Sequence, residues 1–321
     1  MRVRRARPQA IALAKCAMDG PRTRVVVRAS LAGMVLAAAA LGPAGAAAPR
    51  LRFTAAAYTD AAGKPFQSPG GIACQGSRIV VADALGGRLV SLTIEGETVS
   101  PGPEMVLPQL PAPARVRIDS KGDLVVLDEK LRRIGRVSAA GAFKGYLEAP
   151  STMTALVPRS FALDHADTLY VLDIAGGRVV ALDAGGKLVR EIALPTGRGF
   201  FSDVAVDGKG TLYVLDSVGR RILSARKDQS TFAPLGPGLG ADAELPTALI
   251  ADDTGRLFVS DQDSGTILVL GPDGVLQGRQ AGPGWKNALL RSPGQLCLDG
   301  HDHLMVADRD NKRVQVFALS P

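Results

Sequence analysis

The chain has 321 residues, of which 46% are apolar, 4% aromatic and 21% charged, with a formal net charge of +7. That charge is local: residues 1–48 hold eight of the 38 basic groups and one of the 31 acids, which leaves 30 of each in the remainder. A neutral body lacks the basic footprint on which nucleic-acid binding depends, so no nucleic-acid partner is expected.

Residues 1–48 open with a positive flank, continue through an apolar run from Leu31 to Leu41, and end in small residues from Gly45 to Ala48. This is the layout of a secretory signal with an A-x-A-like cleavage site. The alternative is an uncleaved anchor, for which an Ala/Gly-rich stretch of about 18 residues is marginal. The mature protein is therefore expected to be periplasmic or secreted, monomeric, and without a transmembrane span. Residues 49–321 form the second region, a single domain.

Within that domain one short run recurs six times, closing each time on an aspartate. The copies are Val-Val-Ala-Asp83, Val-Val-Leu-Asp128, Tyr-Val-Leu-Asp173, Tyr-Val-Leu-Asp216, Phe-Val-Ser-Asp261 and Met-Val-Ala-Asp308, spaced by 45, 45, 43, 45 and 47 residues. A period in the forties built of short β-rich runs is the pattern of propeller blades. Each unit reads as a strand, a tight turn rich in Asp and Gly, a second strand ending in the aspartate, a polar loop, and a third strand. Asp bonds its own turn backbone and Gly supplies positive φ, which is hairpin chemistry. The last unit stops after its third strand, and residues 51–58 are expected to supply the fourth by strand addition, closing the ring.

These units resemble the NHL repeat, most plainly in Ser68-Pro-Gly-Gly-Ile-Ala-Cys74 with Asp83 and in Ser292-Pro-Gly-Gln-Leu-Cys-Leu-Asp299 with Asp308. Arg88, Arg133, Arg178, Arg221 and Arg313 hold that repeat's arginine position, and Thr266 departs from it. The resemblance implies an all-β, six-bladed propeller of four-stranded antiparallel blades.

Residues repeated in every blade belong to the scaffold, because a catalytic group is needed once. Asp83, Asp128, Asp173, Asp216, Asp261 and Asp308 are accordingly expected to cap backbone donors of the following turn, with the arginines as their partners. Chemistry should sit where the repeat is broken at the start of strand one. At the position of the consensus Gly stand Gly71, Arg115, Ser160, Asp203, Ala248 and Gln295, and one residue earlier Gly70, Ala114, Arg159, Ser202, Thr247 and Gly294. Arg117 replaces a small residue further along. The expected mouth is polar, with Arg115, Arg117, Arg159, Ser202, Asp203 and Gln295, and with Phe200 and Trp285 on adjoining loops. The arginines could fork onto a carboxylate or phosphate, or could be spent on an internal network with Asp203.

There is no H-E-x-x-H, no G-x-S-x-G and no glycine-rich phosphate loop, and the three histidines fall in hairpin turns. No catalytic residue, metal or cofactor is therefore expected. The expectation is an exported, non-enzymatic scaffold that binds a protein partner, with a small anionic ligand second. The alternative is a metal-dependent propeller enzyme of the lactonase, amidating-lyase or strictosidine-synthase-like kind. Cys74 and Cys297 fall on neighbouring strands at an offset that permits a disulfide, but buried free thiols are the preferred expectation.

Overall fold

The computed structural model describes residues 49–151, 153, 155–197 and 199–320; the expected leader and its cleavage site lie outside the described residues. The described chain folds into six antiparallel sheets of four strands each. The first strands of the sheets are Pro69–Gln75, Pro113–Ile118, Pro158–Leu163, Phe201–Val206, Pro246–Ala251 and Pro293–Leu298. Each packs against the first strand of the next sheet, and the sixth packs against the first. The sheets are therefore blades around a central channel, a six-bladed β-propeller as expected.

The second strands explain why the ring holds. Leu124–Asp128, Leu169–Asp173, Leu212–Asp216 and Leu257–Asp261 are buried along their whole length. Successive side chains point to opposite faces of a strand. Val80 and Ala82 thus join the apolar cluster shared with blade 2, while Ile79 and Val81 join the one shared with blade 6. Six such clusters occupy the six gaps between adjacent blades. At about 1.5–3 kcal/mol for each fully buried Val, Leu or Ile side chain, stability resides between blades more than within any one of them.

Strand Arg50–Ala57 pairs antiparallel with Arg313–Ser320 and completes blade 6 from the other end of the chain. The seam carries a second tie, a disulfide between Cys74 and Cys297 with Cα atoms 5.7 Å apart. This corrects the expectation of free thiols. Cys297 belongs to the cluster between blades 6 and 1, and Cys74 packs against it. Inner strands approach each other closely here: a Cβ on Gly294 would lie 2.4 Å from the Gly70 carbonyl oxygen. Neighbouring backbones this near bring two cysteines facing one gap within bonding range.

The six repeat aspartates are fully buried. Some accept from the turn that follows, as Asp128 does from Leu131 N–H at 2.8 Å and Asp216 from Gly219 N–H at 2.9 Å. A larger share of their bonding reaches back to the segment leading into the inner strand of the same blade. Asp83 accepts from Gln67 and Ser68 N–H (3.0 and 2.7 Å), Asp128 from Ala112, Asp216 from Phe200, Asp261 from Glu244 and Leu245, and Asp308 from Arg291. Arg88, Arg178, Arg221 and Arg313 pair with the aspartates of their own blades at 3.1, 3.1, 3.0 and 2.7 Å. Arg133 departs, reaching Glu148 at 2.8 Å and stacking 3.8 Å from the Tyr146 ring centre. Glycine at the turn makes room for the carboxylate: a Cβ at Gly86 would fall 2.4 Å from Asp83 Oδ2.

Two outcomes are expected. Reducing the disulfide, or Cys74→Ser with Cys297→Ser, should lower stability by about 2–4 kcal/mol in denaturant unfolding; an unchanged midpoint would show that the seam does not depend on it. Arg88→Ala should cost about 3–5 kcal/mol, because it strands the buried Asp60 and Asp83 carboxylates that now face the guanidinium at 2.6 and 3.1 Å.

Candidate functional site

Every inner strand slips register at the same point, between Pro69 and Gly71, Pro113 and Arg115, Pro158 and Ser160, Phe201 and Asp203, Pro246 and Ala248, and Pro293 and Leu296. A bulge inserts an extra residue and re-aims side chains at a sheet's end. Here it stacks rings of residues around one channel mouth. The bulged ring, Gly70, Ala114, Arg159, Ser202, Thr247 and Gly294, lines a cavity of about 530 Å³ in full. The ring below it contributes Arg115, Ala248 and Gln295. A third ring is made of the residues that directly follow the repeat aspartates: Ala84, Glu129, Ile174, Ser217, Gln262 and Arg309.

The floor is an ionic network. Asp203, 1% exposed, faces Arg115 Nη1 at 3.2 Å and accepts from the Ser160 hydroxyl. Its backbone donors are Val204 N–H at 3.0 Å and Leu249 N–H at 2.9 Å. Arg115 also donates to the Ser202 carbonyl at 3.2 Å. With the Gln295 amide oxygen turned toward the guanidiniums, it accepts from Arg117 at 3.1 Å and Arg115 at 3.2 Å. Arg117 donates to Val116 and Ile72 carbonyls at 3.0 and 3.4 Å. Burial pushes the Arg117 guanidinium below its ordinary value, Asp203 opposes that and Arg115 adds to it; the group nevertheless stays a cation. Beyond this layer a second cavity of about 240 Å³ opens toward the opposite face, lined by Arg117, Cys74, Cys297 and His165 among others.

Arg159 stands apart from the network. Its guanidinium lies 4.7 Å from the centre of the Phe200 ring, and among the described residues it has no hydrogen-bond or ion-pair partner. Burial and the nearby Arg115 charge both push its pKa down, against the pull of Asp203 and Glu129. Arg115, Arg132, Arg159 and Arg309 line the mouth, with Glu129 as the carboxylate among its lining residues. The mouth is thus cationic in a domain that is neutral as a whole.

Of the residues picked from the sequence, Arg115, Arg159, Ser202, Gln295 and Phe200 line this cavity, Asp203 braces its floor, and Arg117 lies just beneath. Trp285 does not join them: it is 71% exposed on the loop before blade 6, with the Lys286 ammonium 5.9 Å from its ring. Sequence reasoning missed Glu129, Arg132, Ser217, Gln262 and Arg309. The signal for four of them was present, since Glu129, Ser217, Gln262 and Arg309 each follow a repeat aspartate directly.

The donor set does not fit a channel-bound metal. Among the described residues no three His, Cys, Asp or Glu side chains converge as ligands, and both Asp203 oxygens are engaged.

Fold and site together define a six-bladed β-propeller with a cationic, small-molecule-sized mouth. No family model and no curated protein matches the chain. Solved structures do. Virginiamycin B lyase from Staphylococcus aureus is 15% identical, with a TM-score of 0.57, covering 79% of this chain and 95% of its own. A gluconolactonase from Xanthomonas campestris is 17% identical with a TM-score of 0.62, covering 87% and 99%. An auxiliary nutrient binding protein from Bacteroides ovatus is 16% identical with a TM-score of 0.62, covering 80% and 70%. Likeness at this level shows a shared fold. It also corrects the expectation of a non-enzymatic scaffold for a protein partner. Enzymes stand among the neighbours, so this architecture gives no ground for excluding catalysis. Membership of the NHL family is not shown, since no family model matches.

Removing Asp203 should be worse than removing its charge partner. Asp203→Ala leaves Arg115 and Arg117 facing each other over Gln295 and is expected to destabilise by about 3–5 kcal/mol. Arg115→Met, which relieves that crowding, should cost less; equal losses in chemical unfolding would count against this charge arrangement.

Proposed function

We propose that the mouth binds a small organic anion, held as ligand or substrate, in an exported propeller protein. The observation that carries this reading is Arg159, a guanidinium unpartnered among the described residues and stacked on Phe200 in a cavity that Arg115, Arg132 and Arg309 also line, with Arg115 paired to Asp203 and Arg309 to Asp310. Crowded cations disfavour one another, and a carboxylate or phosphate placed between them would relieve that repulsion while accepting a planar fork of N–H donors. A cavity of about 530 Å³ suits a small molecule. Arg115 is fixed by Asp203 and Ser202, so it would present a pre-oriented edge, and Arg159 would supply the free fork.

Export is supported by the signal-like leader and by the Cys74–Cys297 disulfide, a bond that persists in oxidising compartments. No helix among the described residues is long and apolar enough to cross a membrane.

The test is calorimetric titration of the full chain with citrate and with inorganic phosphate, at low and at physiological salt. Binding that weakens with salt, and that Arg159→Gln reduces about tenfold or more without shifting the thermal midpoint of the free protein, is the expected result. Binding of neither anion at low salt, or equal binding by Arg159→Gln, would overturn the reading. Chromatography of the titrated mixture then reports whether a bound anion is consumed.

A further inference from the structure

We infer that the anion is amphipathic, with its charged head in the mouth and an apolar body lying along the wall built by blades 2 to 4; this rests on the anion reading above. The observation is a lopsided rim. The loop that follows each repeat aspartate has the same place in all six blades. In blades 5 and 6 it is polar, with Arg309 donating to Gln262 Oε1 at 3.2 Å. In blades 1 to 4 the same loop exposes an aliphatic side chain: Leu85 (78% exposed), Leu131 (41%), Ile174 (49%) and Val218 (69%). The repeat does not require this, because blades 5 and 6 build the loop without it. Of these four, Ile174 is the one that lines the cavity.

Two features put apolar surface in the mouth itself. Ile174 and Phe200 line the cavity itself, together with Leu127 and Val157 from blades 2 and 3. Phe200 also carries Arg159 on its ring at 4.7 Å, so cation and apolar surface share one wall. A molecule whose head pairs with Arg159 must lay whatever is attached to that head against Phe200 or Ile174, or leave toward blades 5 and 6, where Gln262 and Arg309 stand. An apolar body is favoured in the first direction, because it exchanges water for the aromatic and aliphatic surface. The volume of the cavity selects a small molecule over a protein segment.

The experiment is a calorimetric series on the full chain with butanoate, hexanoate and octanoate, with citrate as a charged ligand lacking an apolar body and octanol as an apolar ligand lacking charge. Affinity is expected to rise about fourfold for each methylene that leaves water, and octanol is expected to bind far more weakly than octanoate. Ile174→Ser should flatten that slope and lower octanoate affinity by a larger factor than citrate affinity, and Arg159→Gln should weaken every anion by a similar factor. Ile174 is exposed, so the variant should fold, which its thermal midpoint checks. If citrate binds and the carboxylate series shows no dependence on length, the amphipathic inference falls and the anion reading stands. If octanol binds as well as octanoate and citrate does not bind, both fall.

Discussion

Six buried carboxylates set the geometry on which everything else in this protein depends. Each repeat aspartate ends the second strand of its blade and hydrogen-bonds the backbone that leads into the first strand, as Asp83 does with Gln67 and Ser68. A buried carboxylate is costly unless several donors satisfy it. Here backbone N–H groups and, in four blades, a side-chain guanidinium do so. The segment entering the inner strand is thereby held at a fixed height, and the bulge that follows is held with it. Because the bulge recurs in every blade, the side chains around the mouth stack in rings.

That division of labour separates scaffold from site. Positions that repeat, such as the aspartates and the arginines five residues on, hold the blade edges together. Positions in the rings are free to vary, and they carry the charge. Asp203 is the one acid of its ring and pairs with Arg115, and Gln295 bridges Arg115 to Arg117. Arg159 is left over and faces the cavity. The same architecture carries a lyase, a gluconolactonase and a nutrient binding protein among its solved neighbours. Function is therefore not fixed by this fold and has to be argued from the site.

Ring closure uses two independent ties at one seam. Strand Arg50–Ala57 supplies blade 6 with its outer strand, and the disulfide joins the inner strands of blades 6 and 1. Arg88 and Arg313 add further ties on either side, with Arg88 ion-paired to Asp60 and Glu104 and Arg313 donating hydrogen bonds to the Lys286 and Leu289 carbonyls. Each blade keeps an outer strand paired on one side only, an edge that radial repetition leaves short, and the seam is the place where strands from the two ends of the described chain and the disulfide meet.

The sequence by itself determined the architecture. A period of about 45 residues and alternation of buried side chains in runs such as Leu124–Asp128 leave few other ways to bury six equivalent units. The strand from the N-terminal side and the offset that lets Cys74 meet Cys297 were also legible from register alone. What only the tertiary structure decided is which side chains share a space. Arg115 and Asp203 are 88 residues apart in the chain and paired across the channel, while Trp285, conspicuous in the sequence, stands outside the cavity. Glu129, Gln262 and Arg309 sit at one repeat position whose role becomes visible once the blades are set in a ring. The physical reason is that period and pattern are local properties of each blade, whereas the charge of the mouth is a sum over six blades that meet only when the ring closes.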